Sequence, residues 1–369
     1  MKIKEFKLER YFAKHEFTAK YLLSSSDCDG FPMQYILDVA TEKELALWEN
    51  LTLGYTESEG DPKLREAILQ YYQLNTIENV VVASPGELNF ISMNVLLSEG
   101  NHVISIAPAY QSLYEVVRAI GCDLSFWKPQ NDSWEYEPSD LEALIQPNTK
   151  LLIINFPHNP TGAYLSLTQL ESIIEIARKH NLTILSDEMY HKLMVSDMPE
   201  LPPICDLYEK GISLWGTSKT FGLAGLRTGW LVSQDALFLK KVVAFKDYLS
   251  ICNSATSEIL SLIALNHIQD FVQPNIQKIK QNIAHFQSFV ERYNIFSNFT
   301  PPRAGSAAFV KLNIEGSALE FSDNLVQETG IMTLPSEMFD YDEPYIRVGF
   351  GRSNFKKVLG IFGAYLAEQ

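Results

Sequence analysis

The sequence predicts an α/β fold with a mostly parallel sheet between helices in a large domain, plus a smaller α+β domain. Apolar runs rich in Val, Ile and Leu alternate with segments of helical period from about residue 80 to residue 233, a pattern typical of buried sheets covered by helices on both faces. The chain has 369 residues, more than the ~250 to 300 at which a single core stops growing. Its last hundred or so residues follow a different pattern.

The large domain is expected to take its strands from six apolar runs between residues 80 and 233: VVVAS, HVISIA, LLIINF, LTILSD, ISLWG and TGWLVS. Helical periodicity between these runs predicts helices at Asn89 to Leu97, about Gln111 to Ile120, and about Thr168 to Lys179.

The C-terminal part combines helices with a few separate strands, which indicates an α+β arrangement. A long helix is expected from about Pro274 to Tyr293, followed by SAAFVKLNI, a helix near Leu319 to Thr329, PYIRVGFG and a final helix. We therefore assign residues 51–270 to the large domain, and residues 1–50 together with 271–369 to the small domain.

The charge of the chain argues against nucleic acid and anionic membranes as partners. It carries 45 Asp and Glu against 30 Lys and Arg, a formal net charge of -15 at pH 7. A phosphate backbone is bound by clustered basic residues, so it would be repelled here.

The remaining composition predicts a cytoplasmic protein with no bound metal and no membrane span. The N-terminus MKIKEFKLERYFAKHEF alternates in charge and lacks the apolar core of a signal peptide. The longest apolar run, VLGIFGAYLA, is far shorter than the ~20 residues that cross a bilayer. The cysteines lack a CxxC pair and nearby histidines, which argues against a zinc site or a disulfide framework; they are Cys28, Cys122, Cys205 and Cys252.

Candidate functional residues follow three consecutive predicted strands. LLIIN is followed by FPHNPTG (156–162), LTILS by DEMY (187–190), and ISLWG by TSK (217–219). In open α/β sheets the ligand lies beyond the carboxyl ends of the strands, so these segments should meet at one site.

The patterns NPTG, DxxY and SKxxGxxGxRxG, in that order, resemble the class I/II aminotransferases of pyridoxal phosphate (PLP) fold type I. The similarity runs from about Gly54 to Arg347. It implies PLP as cofactor, held as a Schiff base by Lys219, whose amine would later move the proton between Cα and C4′ of the substrate adduct. A free lysine has a pKa near ~10.4, so we expect burial and neighbouring Arg227 to lower the pKa of Lys219.

The resemblance also assigns three residues around the cofactor ring. Asp187 would hold a proton on the pyridine nitrogen, so that the ring withdraws electrons from Cα. Tyr190 would donate to the phenolic oxygen, and Asn159 would approach the same oxygen from the neighbouring strand end. The structural alternatives are a helix cap for Asp187 and packing or turn roles for the other two.

At the phosphate, the resemblance implies a planar ion pair with Arg227 and a hydroxyl contact from Ser218. Gly222 and Gly225 would let the loop approach closely. Family members commonly carry another serine three residues before the lysine, but this chain has Gly216, which puts one phosphate contact in doubt.

A second departure is SPGE, residues 84–87, where the family usually has a glycine, a small residue and Ser/Thr. Backbone N–H groups at a helix N-terminus bind anions, but Pro85 has no N–H. The contact would therefore fall to Gly86 and Glu87, with the Glu87 carboxylate pointing away from the phosphate.

Three further residues complete the expected site. Tyr110 in APAYQS would stack on the cofactor, unless it is a core aromatic. Tyr55 in LGYTESEGDPKLREAI (53–68) would reach the phosphate of the partner subunit, which implies a homodimer with composite sites; the alternative is an exposed loop tyrosine. In PYIRVGFGR, alternation along a strand lets one arginine face the cleft: Arg347 for the substrate carboxylate, leaving Arg352 to a surface ion pair or a bend.

The resulting prediction is an aminotransferase of amino-acid metabolism that moves the amino group of an α-amino acid to a 2-oxo acid. A PLP-dependent lyase or cyclase acting through the same quinonoid intermediate is the alternative. A PLP-binding regulatory module is disfavoured because no basic DNA-binding domain precedes Gly54, and another nucleotide-binding enzyme is disfavoured because GxGxxG and GxxxxGK[ST] loops are absent. The substrate stays open, although SSSDCDG (24–30), where relatives are more apolar, suggests a polar side chain.

Overall fold

A computed structural model describes residues 2–130, 133–297 and 299–368. Its central feature is a seven-stranded sheet. The strands of the chain are β1 (Tyr21–Leu22), β2 (Val80–Ala83), β3 (His102–Ile106), β4 (Asp123–Trp127), β5 (Thr149–Asn155), β6 (Thr183–Asp187), β7 (Gly211–Gly216), β8 (Gly229–Ser233), β9 (Ala307–Lys311), β10 (Ile331–Met332), β11 (Leu334–Pro335) and β12 (Tyr345–Gly349).

The α-helices supply the layers that cover this sheet and surround the C-terminal strands. They are α1 (Lys7–His15), α2 (Met33–Val39), α3 (Glu42–Glu49), α4 (Pro62–Leu69), α5 (Pro85–Leu96), α6 (Ser112–Ile120), α7 (Pro138–Ala143), α8 (Leu167–Lys179), α9 (Ile204–Leu207), α10 (Ala236–Lys246), α11 (Ala255–Asn266), α12 (Ile268–Arg292), α13 (Ala318–Thr329) and α14 (Phe355–Glu368). Short 3₁₀ helices lie at Ile77–Asn79, Ala224–Leu226 and Ser336–Phe339.

The large sheet has the order β2-β8-β7-β6-β5-β3-β4. Pairs from β4 to β7 are parallel, while β8 runs antiparallel to both of its neighbours. A three-stranded antiparallel sheet, β11-β12-β9, forms separately. The predicted fold class is therefore confirmed, and all six predicted strands lie in the large sheet.

One strand of this sheet was not predicted. β4 lies at the edge of the sheet beside β3, begins with exposed Asp123 and is only partly buried until Trp127. Its residues DLSFW lack the continuous apolar run by which the buried strands were identified.

The predicted start of the long C-terminal helix is wrong. Helix α12 begins at Ile268 and continues through Pro274, although proline cannot donate the hydrogen bond to the carbonyl four residues earlier. That carbonyl belongs to Asp270, and it accepts a hydrogen bond from the Tyr35 hydroxyl at 2.9 Å. A tertiary contact thus satisfies the group that the proline leaves unpaired.

The first fifty residues contact both parts of the molecule. β1 pairs in parallel with β10, whereas α2 and α3 contact α11, and Ile36 shares an apolar cluster with Trp215 of β7. The assignment of domain boundaries stays a prediction. Within the described ranges, no helix combines the length and apolarity needed to cross a membrane.

Candidate active site

The carboxyl ends of β5, β6 and β7 form the floor of a cleft with a volume of about 450 Å³, within the ~300 to 1,000 Å³ usual for small-molecule sites. Asn155 and Asp187, the last residues of β5 and β6, are register partners, so these strands end level. Nine of the eleven predicted site residues line the cleft: Gly86, Tyr110, Asn159, Asp187, Tyr190, Ser218, Lys219, Arg227 and Arg347.

Lys219 lies three residues beyond β7, and its Nζ donates a hydrogen bond to Ser26 Oγ at 3.0 Å. Burial lowers the pKa of Lys219; nearby Asp27 raises it and Arg347 lowers it. The direction agrees with the expectation from sequence. The neighbouring arginine that lowers the pKa of Lys219 is Arg347, however, whereas Arg227 was expected to do so.

Asp187 is buried at the end of β6, with 8% of its surface exposed. Burial raises its pKa to about 6, against the opposing effects of the Met189 N–H and of Lys219. The Met189 N–H donates to Asp187 Oδ1 at 3.2 Å, and Asn155 Nδ2 donates to the Asp187 carbonyl at 2.8 Å. The carboxyl group is thus fixed in a site where a positive partner would favour its charged form.

Tyr190 is buried beside Lys219 and donates its hydroxyl to the Ser26 carbonyl at 2.8 Å. Burial raises the pKa of Tyr190 to about 12, so it remains a donor at neutral pH. Gly305 (φ +81) lies against the ring, where an added Cβ would come within 3.2 Å of it.

Asn159 is held by the arginine expected to bind substrate. Arg347 Nη1 donates to Asn159 Oδ1 at 3.0 Å, and Arg347 Nε donates to the Ser24 carbonyl at 3.0 Å. Since Oδ1 accepts from arginine, Nδ2 of Asn159 is the amide group left to donate elsewhere.

Arg227 and Ser218 also line the cleft. Arg227 is exposed, adopts a left-handed backbone (φ 55) and donates from Nη1 to the Ala224 carbonyl at 3.3 Å. The Ser218 hydroxyl is buried and has no hydrogen-bond partner among the described residues. Gly222 (φ +69) makes the loop possible, because a Cβ there would lie 2.9 Å from the Asp29 carbonyl.

Gly216 and the segment SPGE, at which the sequence departs from the family pattern, are neighbours in the structure. A Cβ on Gly216 would lie 2.8 Å from the Thr228 carbonyl and 3.3 Å from the Pro85 ring, and a Cβ on Gly229 would lie 2.6 Å from the same ring. Pro85, the first residue of α5, thus occupies space beside Gly216 in which a serine side chain would have to fit.

Two predicted residues do not line the cleft in the single chain. Glu87 follows Gly86 on α5, but its carboxylate lies close enough to Lys246 to influence the pKa of that lysine. Its side chain is therefore directed towards Lys246 rather than into the cleft. Tyr55 is 90% exposed on the surface.

Tyr110 borders the cleft through contacts with the N-terminal segment. Its hydroxyl donates to Glu9 Oε1 at 2.5 Å, and its ring centroid lies 4.9 Å from that of Phe6. Burial, followed by the Glu9 charge, raises the pKa of Tyr110.

Arg352 forms an ion pair, one of the two roles predicted for it. Its Nη2 lies 3.2 Å from Asp27 Oδ1, and its Nη1 lies 3.7 Å from Asp29 Oδ1.

Sequence reasoning gave no individual role to eight polar residues that line the cleft: Glu9, Glu16, Ser25, Ser26, Asp27, Asn89, Ser112 and Asn155. Ser26 and Asp27 belong to the flagged segment SSSDCDG but received no individual role, and Asn155 ends a predicted strand. Glu9 and Glu16 come from the N-terminal helix and its C-cap. Their spacing of seven residues indicates one helix face, but nothing local shows which surface that face meets.

Comparison with known proteins identifies a family and a relative to which this chain is similar. Residues 18–357 match the family model described as aminotransferase class I and II. The chain is 26% identical over 349 residues to capreomycidine synthase of Streptomyces vinaceus, covering 93% of this chain and 88% of that protein.

Two solved structures are similar along almost their whole length. A PLP-dependent aminotransferase from Streptococcus suis 89-1591 gives a TM-score of 0.92 at 28% identity, over 100% of this chain and 99% of the other. The PLP-dependent cyclase OrfR gives a TM-score of 0.91 at 25% identity, over 100% and 98% of the two chains.

Proposed function

We propose, from the premise that this chain belongs to the class I and II aminotransferase family, that it transfers the amino group of an α-amino acid to a 2-oxo acid. The family is PLP-dependent, so the cofactor is pyridoxal phosphate. When bound, PLP supplies an aldehyde for covalent attachment and a ring that withdraws electrons from the substrate α-carbon.

The side chains of the cleft fit this cofactor. The unpartnered Ser218 hydroxyl and the Arg227 guanidinium suit a phosphate at one end. The start of α5 would add backbone N–H groups of Gly86 and Glu87, because a helix N-terminus favours anions. Asp187 lies on the floor of the same cleft, where a protonated ring nitrogen would stabilise its carboxylate.

Lys219 is proposed as the catalytic base and as the point of cofactor attachment. Its lowered pKa increases the fraction of neutral amine, the form that attacks an aldehyde and accepts a proton. Ser26 holds Nζ in place through their hydrogen bond, so the amine is oriented before it accepts the proton from the substrate α-carbon.

Tyr190 and Asn159 are proposed to contact the phenolic oxygen of the cofactor. Tyr190 keeps its proton at neutral pH, since burial raises its pKa. Arg347 occupies Oδ1 of Asn159, and this contact orients Nδ2 as a donor. Tyr110 would lie against the ring from a neighbouring strand end.

One observation supports the proposal best: Lys219, Asp187 and Arg347 line a single cleft, although they come from three separate parts of the sequence. An amine for covalent attachment, a buried acid for the ring nitrogen and a buried guanidinium for a carboxylate are the three groups that transamination of an amino acid requires.

We further propose a cytoplasmic homodimer in which Tyr55 serves the phosphate site of the partner subunit. Tyr55 is a large, almost fully exposed aromatic residue in a single chain, which favours a role at an interface over a role in the core. The four free cysteines are compatible with a reducing compartment.

A lyase or cyclase is the second candidate function. It is favoured by the similarity to capreomycidine synthase along 93% of this chain and to the cyclase OrfR along all of it. Both reaction types begin by removing a proton from the substrate α-carbon, so Lys219 would act first in either case.

The deciding experiment follows the absorbance of the purified holoenzyme while single amino acids are added. Transamination predicts that the lysine-bound cofactor converts to pyridoxamine phosphate and that a 2-oxo acid restores it. Release of ammonia, or of a cyclised product, without the pyridoxamine form would reject transamination in favour of the second candidate.

A further inference from the structure

Three carboxylates form one wall of the cleft: Glu9, Glu16 and Asp27. Glu9 lies in α1, and Glu16 is the residue that caps this helix at its C-terminus. Seven residues are close to two helical turns, so both side chains lie on the face of α1 that meets the cleft. Asp27 comes from the segment that follows β1.

The carboxylates of this wall are incompletely neutralised. Asp27 forms an ion pair with Arg352 at 3.2 Å, and Glu9 accepts a hydrogen bond from the neutral Tyr110 hydroxyl. The Glu16 carboxylate has no hydrogen bond or ion pair with any residue that the structure describes. Its pKa is raised, first by burial and then by the charges of Asp27 and Glu9, and these effects outweigh the opposing charges of Arg352 and Lys219. Glu16 therefore lies where negative charge predominates.

The Arg347 guanidinium gives a second, independent indication of a ligand in the cleft. Arg347 is only 2% exposed and lines the cleft. Its Nε and Nη1 bind the Ser24 carbonyl and Asn159 Oδ1, whereas Nη2 has no hydrogen bond to any described residue. A buried guanidinium with an unused nitrogen calls for an anion, such as the α-carboxylate of an amino acid.

The two features limit the directions in which a bound amino acid can extend. With its α-carboxylate at Arg347 and its α-amino group near Lys219, the side chain has to extend along the remaining walls of the cleft. The wall formed by α1 contributes Glu9 and Glu16. A carboxylate in the side chain would meet like charges there, which disfavours its binding.

We propose that the substrate is an amino acid with a positively charged side chain, a guanidinium or an ammonium, and that Glu16 together with Glu9 binds that charge. This inference rests on the proposed function, because it takes the α-carboxylate to lie at Arg347. It goes further by naming the substrate class and the residues that select it.

The test compares arginine with citrulline, which has the same length and shape but a neutral urea group. Binding is measured from the spectral change of the holoenzyme at each ligand concentration. We expect a Kd for arginine at least ~10-fold lower than for citrulline, the scale of one charge-assisted contact. Ornithine and lysine distinguish a site for an ammonium from one for a guanidinium. The proposal is overturned if none of arginine, ornithine and lysine binds more tightly than citrulline, or if aspartate or glutamate binds most tightly.

The variant Glu16→Gln should reduce the preference for arginine over citrulline about 10-fold. Glu5→Gln is the matched control, because Glu5 is an exposed acid of the same segment that does not line the cleft, and it should keep the preference. An unchanged preference in Glu16→Gln rejects the role of Glu16. If arginine binds selectively but the pyridoxamine form never appears, transamination fails while the substrate class stands.

Discussion

Lys219 and Ser26 are 193 positions apart in the sequence, yet Lys219 Nζ donates a hydrogen bond to Ser26 Oγ at 3.0 Å. The backbone carbonyl of Ser26 also accepts hydrogen bonds from Tyr190 and Ser306, each at 2.8 Å. Ser26 therefore joins the lysine beyond β7 to the tyrosine beyond β6. A residue without an assigned role in the sequence thereby becomes a positioning residue for the proposed base.

Ser26→Ala should lower turnover about 2- to 10-fold, the factor that corresponds to a hydrogen bond of ~0.5 to 1.5 kcal/mol. The Ser26 hydroxyl accepts from the ammonium form of Lys219, so its loss should move the pKa of Lys219 further down. The pH dependence of the reaction between cofactor-free protein and added PLP measures this shift. Ser26→Thr keeps the hydroxyl and should restore both values; no change in Ser26→Ala would contradict the positioning role.

Hydride reduction of the holoenzyme should leave the pyridoxyl group on Lys219, because the neutral amine of this lysine is the proposed point of attachment. Peptide mapping by mass spectrometry locates the adduct. Lys219→Ala should lose the absorbance of the lysine-bound cofactor, with activity down by several orders of magnitude. An adduct on another lysine of the wild-type protein would refute the assignment.

Asp187→Asn should stabilise the cofactor-free protein at neutral pH. The pKa of Asp187 is raised from 3.8 to about 6 in the folded chain, so the folded state binds the proton more tightly than the unfolded state. The protonated Asp187 carboxyl group therefore contributes fully to the free energy of unfolding below about pH 4, and this contribution is lost as the pH rises through about 6. The difference between the unfolded and folded pKa values corresponds to a loss of ~3 kcal/mol in the free energy of unfolding.

Denaturant unfolding of the two cofactor-free proteins as a function of pH tests this expectation. The advantage of Asp187→Asn should grow between about pH 4 and pH 7 and then level off, while the exposed-site control Asp197→Asn should show no such growth. With PLP bound the order should reverse, because the variant cannot form the proposed ion pair with the protonated ring nitrogen. A constant difference at every pH would argue against a buried, titrating Asp187.

Arg347→Ala should weaken the binding of amino acids about 10- to 100-fold through loss of a charge-assisted pair. The cofactor should stay attached to Lys219 with only a small shift of its absorbance, because Arg347 is proposed to act on it only through the orientation of Asn159. Arg10→Ala, which alters an exposed arginine, serves as control. Unchanged substrate affinity in Arg347→Ala would exclude it as the carboxylate anchor.

Mixed refolding of Lys219→Ala with Tyr55→Asp tests the composite dimer. Each variant alone should be almost inactive, since one lacks the amine and the other places a carboxylate against the phosphate. Random pairing makes half of the dimers mixed, and half of the sites in those dimers are intact. About one quarter of wild-type activity should therefore return; an inactive mixture, under conditions in which the wild type refolds fully, would show that Tyr55 does not act across an interface.

The sequence alone indicated the fold class and most of the proposed site, because both depend on local patterns. A buried parallel strand requires a continuous apolar run, and the residues that follow such a run lie at the ligand-binding edge of the sheet. Asn159, Asp187 and Lys219 could therefore be identified from their positions after LLIIN, LTILS and ISLWG. The edge strand Asp123–Trp127 lacks such a run and was missed for that reason.

Only the tertiary structure decided which distant residues complete the cleft. Glu9, Glu16, Ser26 and Asp27 belong to the first thirty residues, and no local pattern shows that they lie beside Lys219. The pairing of β1 with β10 and the packing of Leu8 and Tyr11 against the C-terminal strands bring that segment across the cleft. These contacts are set by the burial of apolar surface between segments far apart in the chain, which the spacing of residues within any one segment does not encode.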